Sequence, residues 1–310
     1  MACIIPRRII NRHYVKISKE NNEDVNIYSD RPDFYVDVPC GRCINCLNSY
    51  MTKWRTRLYH EYEYMTPLER KNSYFITLTF RDDVLYSKDF DVYLCKYRFV
   101  DRIRKKHGST PRYFLITEYG ETTFRLHLHG IIFDCNFSIH ELEKLWSYGF
   151  VDYEILTDYR IKYITSYITK YSDDVIVDPK YIQRVFCSPG IGKKYTEDKA
   201  NLRYHHPAKG VLNPILQNSS QFLIAMPRYY RQKIFTDDER EDMSLAYFAE
   251  RSEDEIPPPP YKIGKRTFTD YTLYLKECKK YNSSYNHLYV KPKTLKNHVI
   301  QSQEPFEFAL

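Results

Sequence analysis

The sequence predicts an α+β fold in which an antiparallel sheet is flanked by helices, and three observations carry that expectation. First, four short runs rich in β-branched and aromatic residues read as strands: "SYFITLTF" (73–80), "RYFLITEYG" (112–120), "RLHLHGIIF" (125–133) and "FVDYEIL" (150–156). Second, the middle two are joined by "GETT", a hairpin signal that makes their pairing antiparallel. Third, helical patterns fall between the others, giving the order β-α-β-β-α-β-α over residues 73–171, which is related to the split βαβ arrangement.

The elements follow in chain order. Residues 1–39 are mixed and irregular. A helix is expected from near Asn45 through "LNSYMTKWRTRLYHEYEYM". In 88–108 Phe90, Leu94, Tyr97 and Val100 recur at helical spacing, the end is basic, and Gly108 is a stop signal. Ser138 with Glu141 three residues on opens a short helix over 138–147. "DYRIKYITSYITKY" (158–171) is a helix candidate, weakened by its β-branched residues. Further on, "CSPGIGKKY" (187–195) reads as a basic, glycine-containing loop and "PPPPYK" (257–262) as a stiff extended segment. The expected organisation is an N-terminal arm, cysteine cluster and helix (1–70), a catalytic domain (71–250) and a C-terminal tail region (251–310).

Composition sets outer limits. Hydrophobic residues make up 43% of the 310, enough for a sizeable core and against global disorder. No apolar run approaches the length of a membrane span, and "MACIIPRRII" lacks the apolar stretch of a secretory signal, so a cytoplasmic location with no membrane partner is expected. The formal charge of +7 permits a polyanionic partner without demanding one. Tyrosine is so abundant, 31 residues, that any single tyrosine pattern arises readily by chance.

The pattern that asks for a function is "HLH" inside a buried strand. Side chains alternate on a strand, so His127 and His129 share one face, while Leu126, Leu128 and Ile132 take the other and can bury. Two neutral imidazoles can ligate one divalent ion. Glu118, at the end of the preceding hairpin strand, is the third candidate ligand. Two imidazoles and a carboxylate leave positions open, so Mg²⁺ or Mn²⁺ could hold phosphate oxygens there. Alternatively, one histidine caps a sheet edge and the other is incidental.

"YITSYITK" adds a second pattern. On a helix Tyr163, Tyr167 and Lys170 line one side, and Ile161, Ile164 and Ile168 form a separate apolar stripe for the sheet. The helix can thus bury one side and present two phenols and an ammonium. A phenol is a weak nucleophile at neutral pH and needs a polarised electrophile. A metal on a phosphate supplies one, and Lys170 can orient the phosphate or offset charge.

In sequence order "FITLTF", "HLHGIIF" and "YITSYITK" resemble the three motifs of HUH (His-hydrophobic-His) endonucleases. With "VPCGRCINCL", "EYGETTFRLHLHGIIF", the "CSPGIG" loop and "MPRYYRQKIF" (226–235), the chain resembles the replication initiators of Microviridae, nearer the gokushovirus type. The resemblance implies rolling-circle replication: nicking of one strand at a single-stranded or supercoiled viral DNA origin, covalent linkage to the 5′ end through tyrosine, and a free 3′ hydroxyl that primes synthesis. It implies His127, His129 and Glu118 as metal ligands, Tyr163 and Tyr167 as nucleophiles, and Lys170 as the lysine after the second tyrosine, with Tyr171 extending the motif. No G-x-x-x-x-G-K-[ST] occurs, so a host helicase and DNA polymerase are expected partners in the host cytoplasm.

Cys40, Cys43 and Cys46 stand at C-x₂-C-x₂-C spacing, which suits Zn²⁺ or an iron–sulfur cluster. A structural zinc wants four ligands. Cys3 is the expected fourth, because the resembled family also tends to carry a cysteine near its start, with His60 a less suited substitute. "RIRKKHG" (102–108), "GKK" (192–194) and "RYYRQK" (228–233) offer phosphate contacts with interleaved tyrosines, although each can equally be a solvated face. Competing readings are a plasmid or transposon HUH nuclease and a non-enzymatic zinc-dependent DNA-binding protein. A two-histidine phosphoesterase would need two His-x-Thr/Ser units, which are lacking.

Overall fold

A computed structural model describes residues 7–10, 35–41, 44–120, 123, 125–135, 138–170, 183–207, 212–217, 223–249, 261–263, 266–269 and 273. These fall into two compact units. In the smaller, Arg7–Ile10 pairs antiparallel with Tyr35–Val38, and Tyr261–Ile263 with Arg266–Phe268. The larger holds the described residues of 51–170 and 183–249.

The larger unit is built on five antiparallel strands: β1 (Tyr74–Thr79), β2 (Arg112–Tyr119), β3 (Leu126–Phe133), β4 (Val151–Ile155) and β5 (Val185–Cys187). Their spatial order is β4-β1-β3-β2-β5. The strand with the two histidines is therefore central, paired with β1 on one side and with its hairpin partner β2 on the other. Helices α1 (Ile44–Glu63), α2 (Val92–His107), α3 (Ile139–Leu145) and α4 (Asp158–Ser166) complete the expected α+β order, with one 3₁₀ turn, Tyr167–Thr169, after α4. The β5 strand, three residues long, is too short to show a period and was not anticipated.

Alternation divides the core. On one face Ile76, Leu78, Leu126, Leu128 and Ile132 pack with Cys95, Phe99 and Ile103 of α2 and Leu142, Leu145 and Trp146 from and just after α3. On the other, Phe75, Phe114, Ile116, Ile131 and Phe133 pack with Trp54 and Leu58 of α1 and with Ile161, Ile164, Tyr167 and Ile168. The expected apolar stripe of α2 is corrected here. Leu94 and Tyr97 are exposed, and Cys95, Phe99 and Ile103 are buried instead. The cause is the N-terminus. Asp91 caps the helix by accepting from the Tyr93 and Leu94 amides, so Phe90 lies outside it and does not set its phase.

The "CSPGIGKKY" loop closes on α1. Gly192 has φ +77°, and a Cβ there would fall 2.2 Å from the Tyr230 hydroxyl, so glycine is required. Its amide donates to Glu61 Oε2 at 2.6 Å, and the Arg57 guanidinium donates twice to the Ile191 carbonyl at 3.1 and 3.0 Å. Helices α5 (Lys193–Glu197), α6 (Lys199–His205) and α7 (Arg228–Ile234) then pack around a ring stack. His60 lies on Tyr195 (centroids 4.1 Å apart, 6° from parallel), and Tyr195 lies on Tyr230 (5.0 Å, 13°). His60 Nδ1 is 3.1 Å from the Tyr230 hydroxyl, and burial pulls the His60 pKa down to about 4. Among the described residues no helix is long and apolar enough to cross a membrane.

Candidate metal and nucleophile site

The hairpin register sets Glu118 directly opposite His127. Both histidines and Glu118 project from the face that carries Phe75, Ile116 and Ile131. The Glu118 Oε2 atom lies 3.8 Å from His127 Nδ1 and 3.4 Å from His129 Nε2. The side chain of Glu118 is almost fully buried, and Lys170 Nζ ion-pairs with its other oxygen, Oε1. Burial alone would raise the Glu118 pKa. Hydrogen bonds and charge from His129 and Lys170 outweigh it and hold the carboxyl at about 2. Burial also lowers the pKa of His127, against an upward pull from Glu118.

The other nitrogen of His129 is taken. Nδ1 lies 3.1 Å from Thr77 Oγ1, on the neighbouring strand at the register position facing His129. A hydroxyl there fixes the ring and directs Nε2 toward Glu118. Sequence reading missed Thr77, although its polar place between Ile76 and Leu78 in "FITLT" was the available signal.

The tyrosine helix covers the same face. Its anchors come from α1: Arg55 donates to Thr165 Oγ1 (3.0 Å), Tyr59 to the Asp158 carbonyl (3.2 Å) and Tyr62 to the Leu156 carbonyl (3.3 Å). The isoleucine stripe is buried as expected, with Ile161 and Ile164 at 0% and Ile168 at 6% exposure. The two phenols differ from expectation in one respect. Tyr163 is 36% exposed, whereas Tyr167, at 6%, belongs to the apolar cluster. The reason is that the chain tightens into the 3₁₀ turn at Tyr167, which rolls that ring onto His129 (centroids 4.8 Å, 7°). The Tyr167 hydroxyl donates to the Tyr163 oxygen at 2.6 Å, and Lys170 Nζ lies 5.3 Å from the Tyr167 ring centre. Arg160 Cζ, ion-paired with Glu154, sits 5.6 Å from the Tyr163 ring centre and 5.1 Å from that of Phe75.

The structure therefore brings together His127, His129, Glu118, Tyr163, Tyr167 and Lys170 on one side of the sheet. As the side chains stand, no group of three or more His, Cys, Asp or Glu among the described residues has the spacing of a loaded metal site. The donor set nevertheless suits a hard divalent ion: an ionised carboxylate and two imidazoles face one another across 3.4 and 3.8 Å. Cys40 and Cys46 lie with sulfurs 3.9 Å apart. Cys3, Cys43 and Tyr171 fall outside the described residues. His60 is engaged in the Tyr195–Tyr230 stack.

The basic clusters are mostly occupied within the fold. Arg102 donates to the Leu145 carbonyl (3.0 Å), Lys105 pairs with Asp101 (2.9 Å) and Lys106 with Glu141 (2.8 Å). Lys194 reaches the Tyr64 carbonyl at 3.2 Å.

Fold and site thus define a class: an antiparallel α+β domain that gathers a histidine pair, an acid and two phenols on one sheet face. Residues 73–172, which span that whole arrangement, match the family described as replication-associated protein ORF2. The chain is 28% identical over 221 residues to the replication-associated protein VP4 of Bdellovibrio phage phiMH2K, covering 62% of this chain and 66% of that protein. It is 23% identical over 179 residues to the replication-associated protein ORF4 of Chlamydia phage 1, covering 50% and 43%. The matches thus span less than two thirds of either relative's own length. No solved structure matches the chain. The chain is similar to the replication-associated proteins of phages, and the likeness to Microviridae initiators read from its motifs stands on these matches.

Proposed function

We propose that the chain initiates rolling-circle replication of a small phage genome by nicking and rejoining one DNA strand at the origin through a tyrosine-linked intermediate. The observation that carries this reading is the shared face: the Tyr167 ring lies on His129, and its hydroxyl bonds to that of Tyr163. The similarity to phage replication-associated proteins supports the replication role.

His127, His129 and Glu118 are the residues that would hold a Mg²⁺ or Mn²⁺ ion, which when bound supplies Lewis acidity to the scissile phosphodiester. The phenolic oxygen of Tyr163, the more exposed of the pair, attacks phosphorus. The bond from phosphorus to the 3′ oxygen breaks, and the phenolic proton passes to that departing oxygen. The products are a 5′-phosphotyrosine and a free 3′ hydroxyl, so atoms and charge balance. Lys170, adjoining both Glu118 and Tyr167, offsets charge on the phosphate. Tyr167 attacks the second junction and closes the displaced strand. Host helicase and polymerase would act on the primed origin in the host cytoplasm. Cys40 and Cys46, with Cys43 and Cys3, would hold a structural Zn²⁺. Their 3.9 Å sulfur separation is near the roughly 3.8 Å of two thiolates on one tetrahedral zinc.

The test is incubation with single-stranded origin oligonucleotides, with and without Mn²⁺, on a denaturing gel. A protein–DNA band that needs metal and vanishes in the Tyr163→Phe/Tyr167→Phe double variant is the expected result. A double variant that keeps the band rejects the reading in favour of non-covalent DNA binding.

A further inference from the structure

Beside His127 a cleft of about 410 Å³ opens, lined by Thr79, Arg81, Asp82, Arg125, His127 and Phe150 among others. Its volume lies in the range of small-ligand sites, roughly 300–1,000 Å³, room for a nucleoside and not for a duplex. Phe150 is 76% exposed. Its backbone, by contrast, is fixed. The Phe150 amide donates to Thr79 Oγ1 (3.1 Å), and its carbonyl accepts from the Thr79 amide (2.9 Å) and hydroxyl (3.3 Å). Gly149 lies so close to β1 that a Cβ would fall 2.1 Å from the Thr79 carbonyl oxygen. The Trp146 indole holds that same oxygen at 2.8 Å. An aromatic ring left in water on a rigid mount gains nothing for the fold.

The polar lining is mostly cationic. The Arg125 guanidinium ion-pairs with Asp82 and donates to the Phe80 carbonyl at 2.7 Å, which holds it at the mouth. Arg81 is paired with Asp83 (3.2 Å), and its side chain is half exposed. Two guanidinium groups and a flat apolar ring around a nucleoside-sized space suit a polyanion that carries planar bases.

We propose that this cleft takes one unpaired base of single-stranded DNA, stacked on Phe150, with the flanking phosphates near Arg81 and Arg125. The inference rests on the reading above that single-stranded DNA is the substrate, and it makes Phe150 a positioning residue for the strand next to His127.

The experiment measures fluorescence anisotropy of labelled (dT)₂₀, and of a 20-mer of abasic deoxyribose phosphate, in metal-free buffer. Wild type, Phe150→Ala and Phe150→Trp are compared. Phe150→Ala should weaken (dT)₂₀ by roughly 5- to 150-fold, the loss of one base stack, and Phe150→Trp should restore it. Both variants should bind the abasic strand as wild type does, since no base is there to stack. Equal (dT)₂₀ affinity in wild type and Phe150→Ala overturns the proposal, as does an equal loss on the abasic strand. A Phe150 effect in a protein that forms no covalent adduct sinks the nicking reading and leaves the cleft standing. If Phe150→Ala changes only self-association in sedimentation, the ring is a protein contact and the proposal fails.

Discussion

The imidazole of His129 lies flat against the phenol of Tyr167, centroids 4.8 Å apart and planes 7° from parallel. The ring that would bind metal and the second nucleophile therefore share one packing contact. Tyr163, one turn earlier, stands edge-on to His129 at 6.5 Å and keeps its exposure. The two tyrosines are not equivalent. Tyr163→Phe should reduce the first covalent adduct by more than about 100-fold. Tyr167→Phe should keep that adduct and lose strand rejoining. Single-turnover gels with a second acceptor oligonucleotide check both, and a first adduct lost only in Tyr167→Phe reverses the assignment.

Thr77 holds His129 Nδ1, so Thr77→Val should loosen the ring with little change of volume. Outer-shell losses of this kind lower metal affinity by about 10- to 100-fold. Mn²⁺ titration followed by electron paramagnetic resonance reads it directly, and an unchanged affinity removes Thr77 from the site.

Lys170 pairs with Glu118, the carboxylate that a divalent ion would also use. Two cations on one carboxylate repel. Lys170→Met should therefore tighten Mn²⁺ binding, by about tenfold, while slowing adduct formation. Weaker Mn²⁺ binding would mean that Lys170 chiefly holds Glu118 in place.

Acid should act on the ring stack. Burial puts the folded pKa of His60 at about 4, below its ordinary 6.5. The folded state thus binds fewer protons than the unfolded chain between those values. The contribution is whole above pH 6.5 and is lost as pH falls toward 4, about 3 kcal/mol in all. Glu118, with its carboxyl at about 2, adds its own loss only below about pH 4.5. Urea midpoints from pH 7 to 4 should fall, and His60→Gln should flatten that fall.

The buried stripe of α2 can be tested by contrast. Phe99→Ala, at 1% exposure, should cost about 3–5 kcal/mol, and Tyr97→Ala, at 62%, within about 0.5 kcal/mol. Thermal melts of the two variants decide between the observed stripe and the one that spacing alone suggested.

That contrast marks where sequence legibility ended. Strand alternation in "RLHLHGIIF" and the hairpin signal before it were enough to place His127 opposite Glu118, because period-2 geometry leaves no freedom once the register is known. The isoleucines of α4 were legible for the same kind of reason at helical period. The phase of α2 was not, since an Asp91 cap decides which residue counts as the first. Nor was the burial of Tyr167, which depends on a 3₁₀ turn with no residue signature of its own. Thr77 and Phe150 were invisible because their placement is set by partners far along the chain, His129 and Thr79 respectively.

The strand bearing both histidines is laddered to a neighbour on each side. Its amides should be among the slowest in the molecule to exchange with solvent. Imidazoles mounted there cannot shift without unzipping the sheet, so any adjustment between one strand transfer and the next must come from the tyrosine-bearing helix and from the DNA itself.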